Sequence, residues 1–236
     1  VRTLHLCVFQ FQTHDIRVMG TEIDGGTSLS GISEPIQIDG GGFWQADFSN
    51  GAFGGRQDAR RALTLAWRAI NAGLSGGAQA VLMFCDRHHQ PIAAGSSLVP
   101  HSDETPFSDD SEYLSGGASA SVLAVNNGQT GGLNCTSLDI TITSDRPLIG
   151  GERFTHVHPV WGDRAYEIYS VETMDTGLTI KFQPPIRGGI AIGDELDFDN
   201  VRCIMRRVSP PTNALTTGLF STASITMVED MRDPAS

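Results

Sequence analysis

The sequence predicts a mainly β protein: a β-sandwich flanked by one α-helix, with a small β-barrel inserted into it. Three observations carry that expectation. Residues 148–208 alternate apolar and polar side chains over short windows. Leu178, Ile180 and Phe182 stand against Thr179 and Lys181, Leu196 and Phe198 against Glu195 and Asp197, and Val201, Cys203 and Met205 against Arg202 and Arg206. A strand switches faces at every residue, so this is the pattern of half-buried strands. The runs are broken by turn residues at Asp175-Thr176-Gly177, Pro184-Pro185, Gly188-Gly189, Gly193-Asp194 and Asp199-Asn200. Finally, a single stretch, residues 56–72, carries a strong helical period.

The elements follow in chain order. Residues 3–11 are apolar on both faces and read as a strand covered on both sides. Further strands are expected at 16–19, around Ile36 and Ile38, and at 43–48, separated by Asp24-Gly25-Gly26 and Asp39-Gly40-Gly41-Gly42. In the helix, Ala59, Leu63, Ala66 and Ile70 form the apolar stripe, widened by Ala62 and Trp67, and Gly73 is the stop. Residues 80–85 form an apolar strand. Residues 93–117 are polar and read as a long loop or arm. Strands follow at 119–125 and 138–143, and Ser209-Pro210-Pro211 ends the barrel-like stretch. A last strand at 219–228 returns to the first unit. Residues 1–146 and 210–236 are therefore expected to form the sandwich, and residues 147–209 the inserted barrel.

Composition narrows the function classes. The 236 residues are ample for a real core. Charged residues make up only 18%, below the roughly one quarter usual for soluble domains, as expected where surface is hidden against neighbours. Lys181 is the only lysine. The net charge of −11 argues against a protein that grips nucleic acid, because such affinity comes from neutralising phosphates. It is compatible with a channel wall past which nucleic acid slides. The four cysteines, Cys7, Cys85, Cys135 and Cys203, are scattered and form no C-x-x-C. They read as free thiols, largely buried, of a chain made in a reducing cytosol. No signal peptide is visible at Val1, and no apolar run nears the roughly 20 residues of a membrane span.

Chemistry is sparse. His88-His89 is a strand end, where adjacent imidazoles point to opposite sides. His156 and His158 share a face if the segment is extended, and Asp163 would complete a metal site as third ligand. The carboxylates Asp103, Glu104, Asp109, Asp110 and Glu112 sit in a polar loop, where nothing would raise one pKa for acid catalysis. No G-x-S-x-G, H-E-x-x-H or phosphate-loop motif occurs at the expected places. The expectation is therefore no catalytic residue, no cofactor and no metal, with His156, His158 and Asp163 as the candidates for a metal if one binds.

The order of short motifs is itself informative. Ser28-Leu-Ser-Gly-Ile-Ser-Glu-Pro-Ile36 is followed by Phe43-Trp-Gln-Ala-Asp-Phe48, then Ala66-Trp-Arg-Ala69 on the helix and Leu74-Ser-Gly-Gly77. Phe84-Cys-Asp86 comes next, then Trp161-Gly-Asp-Arg-Ala-Tyr-Glu-Ile168, Ile180-Lys-Phe-Gln-Pro-Pro-Ile-Arg187 and Gly193-Asp-Glu-Leu-Asp-Phe198. Over nearly the whole chain this resembles the distal tail and baseplate proteins of long, non-contractile-tailed bacteriophages (siphophages) and gene-transfer agents. The resemblance implies a tail-tube-like β-sandwich flanked by one helix, with a small added barrel, assembling as a ring. It implies a virion structural protein of the tail tip, assembled in the host cytoplasm, and not an enzyme. The partners implied are other copies in a six-fold or three-fold ring, the tail tube protein, the tip or hub proteins, and genomic DNA passing through the lumen during ejection. No catalytic residue carries over, and the scattered cysteines do not match the iron–sulfur cluster of some tail-tip relatives. The rival expectations are a carbohydrate-binding module of a baseplate, stacking sugars on Trp44, Trp161 or Tyr169, and a metal-dependent hydrolase built on His156, His158 and Asp163.

Overall fold

A computed structural model describes residues 1–9, 11–20, 22–27, 29–31, 33–37, 40–53, 58–86, 89–91, 98–99, 113–114, 123–126, 132–144, 146–174, 177–215 and 221–234. In chain order the elements are β1 (Arg2–Leu4), β2 (Thr13–Met19), β3 (Glu22–Thr27), β4 (Ser33–Gln37), β5 (Phe43–Phe53), α1 (Asp58–Gly73) and β6 (Gln79–Met83). Then come β7 (Leu98–Val99), β8 (Tyr113–Leu114), β9 (Leu123–Asn126), β10 (Ser137–Ile142), β11 (Arg153–His158), β12 (Gly162–Met174) and β13 (Gly177–Gln183). The chain ends with β14 (Glu195–Asp197), β15 (Arg202–Arg207), β16 (Thr212–Leu215) and β17 (Ser221–Glu229).

The architecture is mainly β, with one α-helix among the described residues and one small closed barrel. The large sheet has seven strands in the order β1-β6-β15-β17-β5-β2, with β16 also paired to β17. Its core face follows from alternation. Trp44, Ala46 and Phe48 of β5 are buried, and Ala46 and Phe48 lie opposite Met227 and Ile225 of β17. The intervening residues are polar: Asp47 accepts hydrogen bonds from Thr226 (2.6 Å) and Gln45 (2.8 Å). The second layer over this face comes from α1 and the segment after β1. Trp67 packs edge-on against Phe9 and Phe11, with ring centroids 5.7 and 5.6 Å away. The helix is turned from the expected stripe. Trp67, Ile70 and Leu74 are its buried line and Leu63 is half-buried, while Ala62 and Ala66 face outward. One indole outweighs several methyl groups in buried area, so Trp67 sets the inner face.

The six-stranded barrel closes in the order β10-β13-β12-β11-β14-β9. Leu138, Ile140, Phe154, Tyr166, Ile168, Ile180, Phe182 and Leu196 fill it. Its limits differ from the expected 147–209. The barrel strands run from Leu123 to Asp197, while Arg202–Arg207 lies in the large sheet between β6 and β17. Alternation shows that a segment is a strand but not which sheet it joins. The barrel interrupts the sheet between β6 and β15, which are antiparallel neighbours with Met83 opposite Arg202.

Two further differences are local. Residues 3–11 are not one strand: β1 stops at Leu4 and a 3₁₀ turn spans Leu6–Phe9. Asp24-Gly25-Gly26 is not a separator but part of β3, with a register shift between Asp24 and Thr27 where it pairs with β4. Most of the 93–117 loop, including Asp103, Glu104, Asp109, Asp110 and Glu112, lies outside the described residues, as does His88. Within it, β7 and β8 pair as a small ribbon. No helix of the described residues is long and apolar enough to cross a membrane.

Candidate functional site

A cluster of polar and titratable groups lies where the barrel meets the end of the sheet. There β5 begins, β17 ends, and β15 begins. On β11, the i, i+2 spacing places His156 and His158 on one face. Both are buried, and their rings meet edge-on with centroids 4.5 Å apart. The register of β11 with β12 sets His156 opposite Arg164 and Phe154 opposite Tyr166. Imidazoles, guanidinium and phenol therefore share the barrel's interior side. His158 Nε2 and the Tyr166 hydroxyl are hydrogen-bonded at 2.6 Å, and the Arg187 backbone N–H donates to the same oxygen at 3.3 Å. His156 Nδ1 meets the Glu195 carbonyl at 3.1 Å, and its Nε2 lies 3.7 Å from the Asp194 carboxylate.

Across the seam stands Glu229, at the position after Ala223, Ile225 and Met227 in the buried alternation of β17. One carboxylate oxygen accepts the Trp44 backbone N–H at 3.1 Å. The other accepts from Arg164 Nη1 at 3.3 Å and lies 3.9 Å from Arg187 Nε. The side chains of Glu229 and Arg164 are both wholly shielded from solvent. The Trp44 indole N–H donates to the Ala165 carbonyl at 2.7 Å, and the Arg187 guanidinium donates to the Gly42 carbonyl. Thr155 of the barrel and Arg202 of the sheet exchange two bonds: the hydroxyl donates to the Arg202 carbonyl (2.9 Å) and accepts its N–H (2.7 Å).

Burial dominates the electrostatics. It pushes His158 down to about 3, helped by the neighbouring His156 and Arg164, so the ring is neutral in the folded protein. Burial raises the Tyr166 hydroxyl and the Cys203 thiol, leaving both protonated. It also raises Glu229, against the opposing pull of Arg187 and Arg164. Among the described residues, His156 Nε2, Arg164 Nη2 and Arg187 Nε of the seam are buried without a hydrogen-bond partner.

The candidate metal ligands His156, His158 and Asp163 do not come together. Asp163 is opposite Val157 in the ladder, on the other face from His156 and His158, and its carboxylate accepts from Arg202 Nε at 2.8 Å. Among the described residues no group of three or more His, Cys, Asp or Glu could hold a metal ion. His89 bonds to Asp86 instead of joining a cluster. The aromatic candidates separate as well. Trp44 is a core residue, Trp161 is half-buried, and Tyr169 is 58% exposed at a register shift of β12.

The cysteines also need correction. Cys7 and Cys85 form a disulfide with Cα atoms 6.1 Å apart, and Cys85 is exposed. The parallel β1·β6 ladder sets Leu4 beside Leu82, and the two thiols meet just past its end, Cys7 in the 3₁₀ turn and Cys85 after β6. The pairing is set by this long-range register, which a linear scan for clustered cysteines does not see. Cys203 is a buried free thiol and Cys135 a half-buried one. Sequence reasoning also missed Glu229, Arg164, Arg187 and Tyr166. The available sign was a carboxylate continuing an inward apolar alternation, which demands a buried counter-charge. No protein-family model matches the sequence, and no curated protein matches it.

Proposed function

We propose that this chain is a structural subunit of a virion: a distal tail or baseplate ring protein that joins the tail tube to the tip and lines part of the DNA ejection channel. The observation that carries the reading is the free edge of the large sheet. Among the described residues the seven-residue strand β2 pairs with β5 alone, so its other side offers backbone groups for pairing with a neighbour, although the Ile16 carbonyl already accepts from Arg153 Nη2 at 2.9 Å. The polar seam supports it. Its groups are buried and packed between two β units, which suits rigid fixation, and the Tyr166 hydroxyl beside His158 is shielded from solvent, where no substrate reaches it. The sequence's acidic balance suits a lumen that passes DNA without holding it. The ring would be six-fold or three-fold, stacked between tube and hub proteins.

Light scattering and negative-stain imaging of concentrated protein test this. Closed rings are expected, and a species that stays monomeric at every concentration overturns it. A glycan-binding role is a second reading, favoured by the outward placement of Tyr169. Glycan-array signal lost on Tyr169→Ala would support it, and a blank array with the unaltered protein would remove it.

A further inference from the structure

We propose that the Cys7–Cys85 disulfide is a redox site open to exchange with a small-molecule thiol such as glutathione, that Cys85 is the sulfur attacked, and that the state of the pair sets how firmly residues 2–9 are held to the large sheet. Such a site works within a single chain, with or without assembly into rings. Exposure ranks the two sulfurs: Cys85 is exposed and Cys7 is half-buried. An attacking thiolate must reach the sulfur, and disulfides open to solvent are the reducible ones. Two thiols balance the exchange. A glutathione thiolate attacks Cys85 Sγ, the S–S bond breaks, and Cys7 leaves as a thiolate that takes up a proton. A second glutathione thiolate attacks the glutathione sulfur of the mixed disulfide, releasing glutathione disulfide and leaving Cys85 as a thiol. The two cysteines gain the two electrons that the two glutathiones lose, and glutathione disulfide is the oxidant for the reverse.

What the bond holds follows from the topology. β1 is the end strand of the large sheet, and among the described residues it meets only β6, from Arg2 beside Ala80 to Leu4 beside Leu82. Arg2 and Thr3 are exposed, and Leu4 is its one buried residue. Cys7 sits in the 3₁₀ turn that follows, whose Phe9 packs on Trp67 of the helix. Residues 2–9 therefore form a strap from the rim of the sheet onto its second layer, and the disulfide ties that strap to the end of β6. A short end strand opens readily by itself, and what it covers is an edge of unpaired backbone. A cross-link between residues 78 apart in sequence removes much of the freedom an open strap would gain. The Cα separation of 6.1 Å is one an unforced disulfide spans, so the same backbone serves the bonded and the reduced pair. Leu4, Leu6 and Phe9 are buried by packing alone, so the reduced chain keeps its fold and holds the strap less firmly.

Peptide mass mapping and hydrogen exchange on the full chain test this. In glutathione disulfide, Cys7→Ser should take up glutathione at Cys85 at least about tenfold faster than Cys85→Ser takes it up at Cys7. Reduced glutathione should raise the thiol count of the unaltered, denatured chain from two to four. It should also lower the melting temperature by about 5–10 °C and speed amide exchange in residues 2–9 and 79–83 at least about tenfold, with the barrel amides unchanged. The double variant Cys7→Ser with Cys85→Ser should melt with the reduced chain and ignore glutathione. Four free thiols in the air-oxidised chain, equal labelling of the two cysteines, or exchange in residues 2–9 that does not respond to reduction would each overturn the assignment. Should a variant fail to fold, the thiol count and exchange rates of the unaltered chain decide alone.

Discussion

His158 is held neutral at the buried end of β11, and that has a sign in pH. Its folded pKa of about 3 lies below the usual 6.5. Between those values the unfolded chain binds a proton that the folded one refuses, so stability rises with pH across the window. The contribution is complete above about pH 6.5, falls as pH drops toward about 3, and is level below that. Carboxylates act lower. At Asp47 burial is outweighed by hydrogen bonds from Thr226 and Gln45 and by Arg17, so its contribution is lost only below its ordinary value of 3.8. His158→Gln should therefore flatten the stability profile between pH 3 and 6.5 in denaturant titrations. It should also cost about 1–2 kcal/mol at pH 7 through the weakened bond to Tyr166. An unchanged slope would show that the imidazole does not carry it. The same residue marks what was legible locally. The i, i+2 spacing of His156 and His158 predicted a shared face, because strand geometry depends only on neighbours in sequence. It did not predict that Asp163 turns away, which is set by its register with Val157, nor that Glu229 supplies the charge facing Arg164 from far along the chain.

The turn between β4 and β5 shows how closely two elements are fitted across the seam. Gly41 has φ +100°, and a Cβ added there would lie 2.1 Å from Cδ of Pro185, a ring atom that cannot swing away. Gly40 has φ +66° but faces open space. Gly40→Ala should cost about 1 kcal/mol for the left-handed backbone alone. Gly41→Ala carries the clash as well and should cost more than about 2 kcal/mol, because the turn must leave the Pro184-Pro185 segment. Equal losses in paired denaturation curves would mean that the turn is not seated there. Elements were legible where pattern and pairing coincide, as in β5, β10, β13 and β17. They were misread where a turn-like composition sits inside a strand, as at Gly25-Gly26 of β3, whose irregular pairing with β4 absorbs the glycines. The barrel's true limits were hidden for a related reason. Val201, Cys203 and Met205 alternate as any half-buried strand does, yet the strand that holds Cys203 and Met205 pairs with residues 79–83 and 227–229.

At the scale of the whole molecule, a large sheet has a barrel spliced into it, and the seam decides whether the two behave as one body. The chain leaves the sheet near Met83 and returns near Arg202, its neighbour in the ladder, so covalent linkage alone would let the barrel swing on one corner. The buried Glu229–Arg164–Arg187 cluster, the Trp44–Ala165 bond and the Thr155–Arg202 pair hold it in place. Each unit has its own core: one around Trp44, Trp67 and Met227, the other around Phe154, Phe182 and Phe198. The intact protein should therefore unfold in a single calorimetric transition, with the seam transmitting the loss of either core to the other. Glu229→Ala leaves Arg164 fully buried without its counter-charge, a change that costs about 3–5 kcal/mol when one partner of a buried pair is removed. That cost falls on the joint and spares both cores, so the variant should melt in two steps, assignable by hydrogen exchange to the sheet and to the barrel. Replacing the pair together, Glu229→Leu with Arg164→Met, removes the stranded charge and should bring back one transition at higher temperature than the single variant. One unshifted transition in Glu229→Ala would mean that the ionic cluster is not what joins the barrel to the sheet.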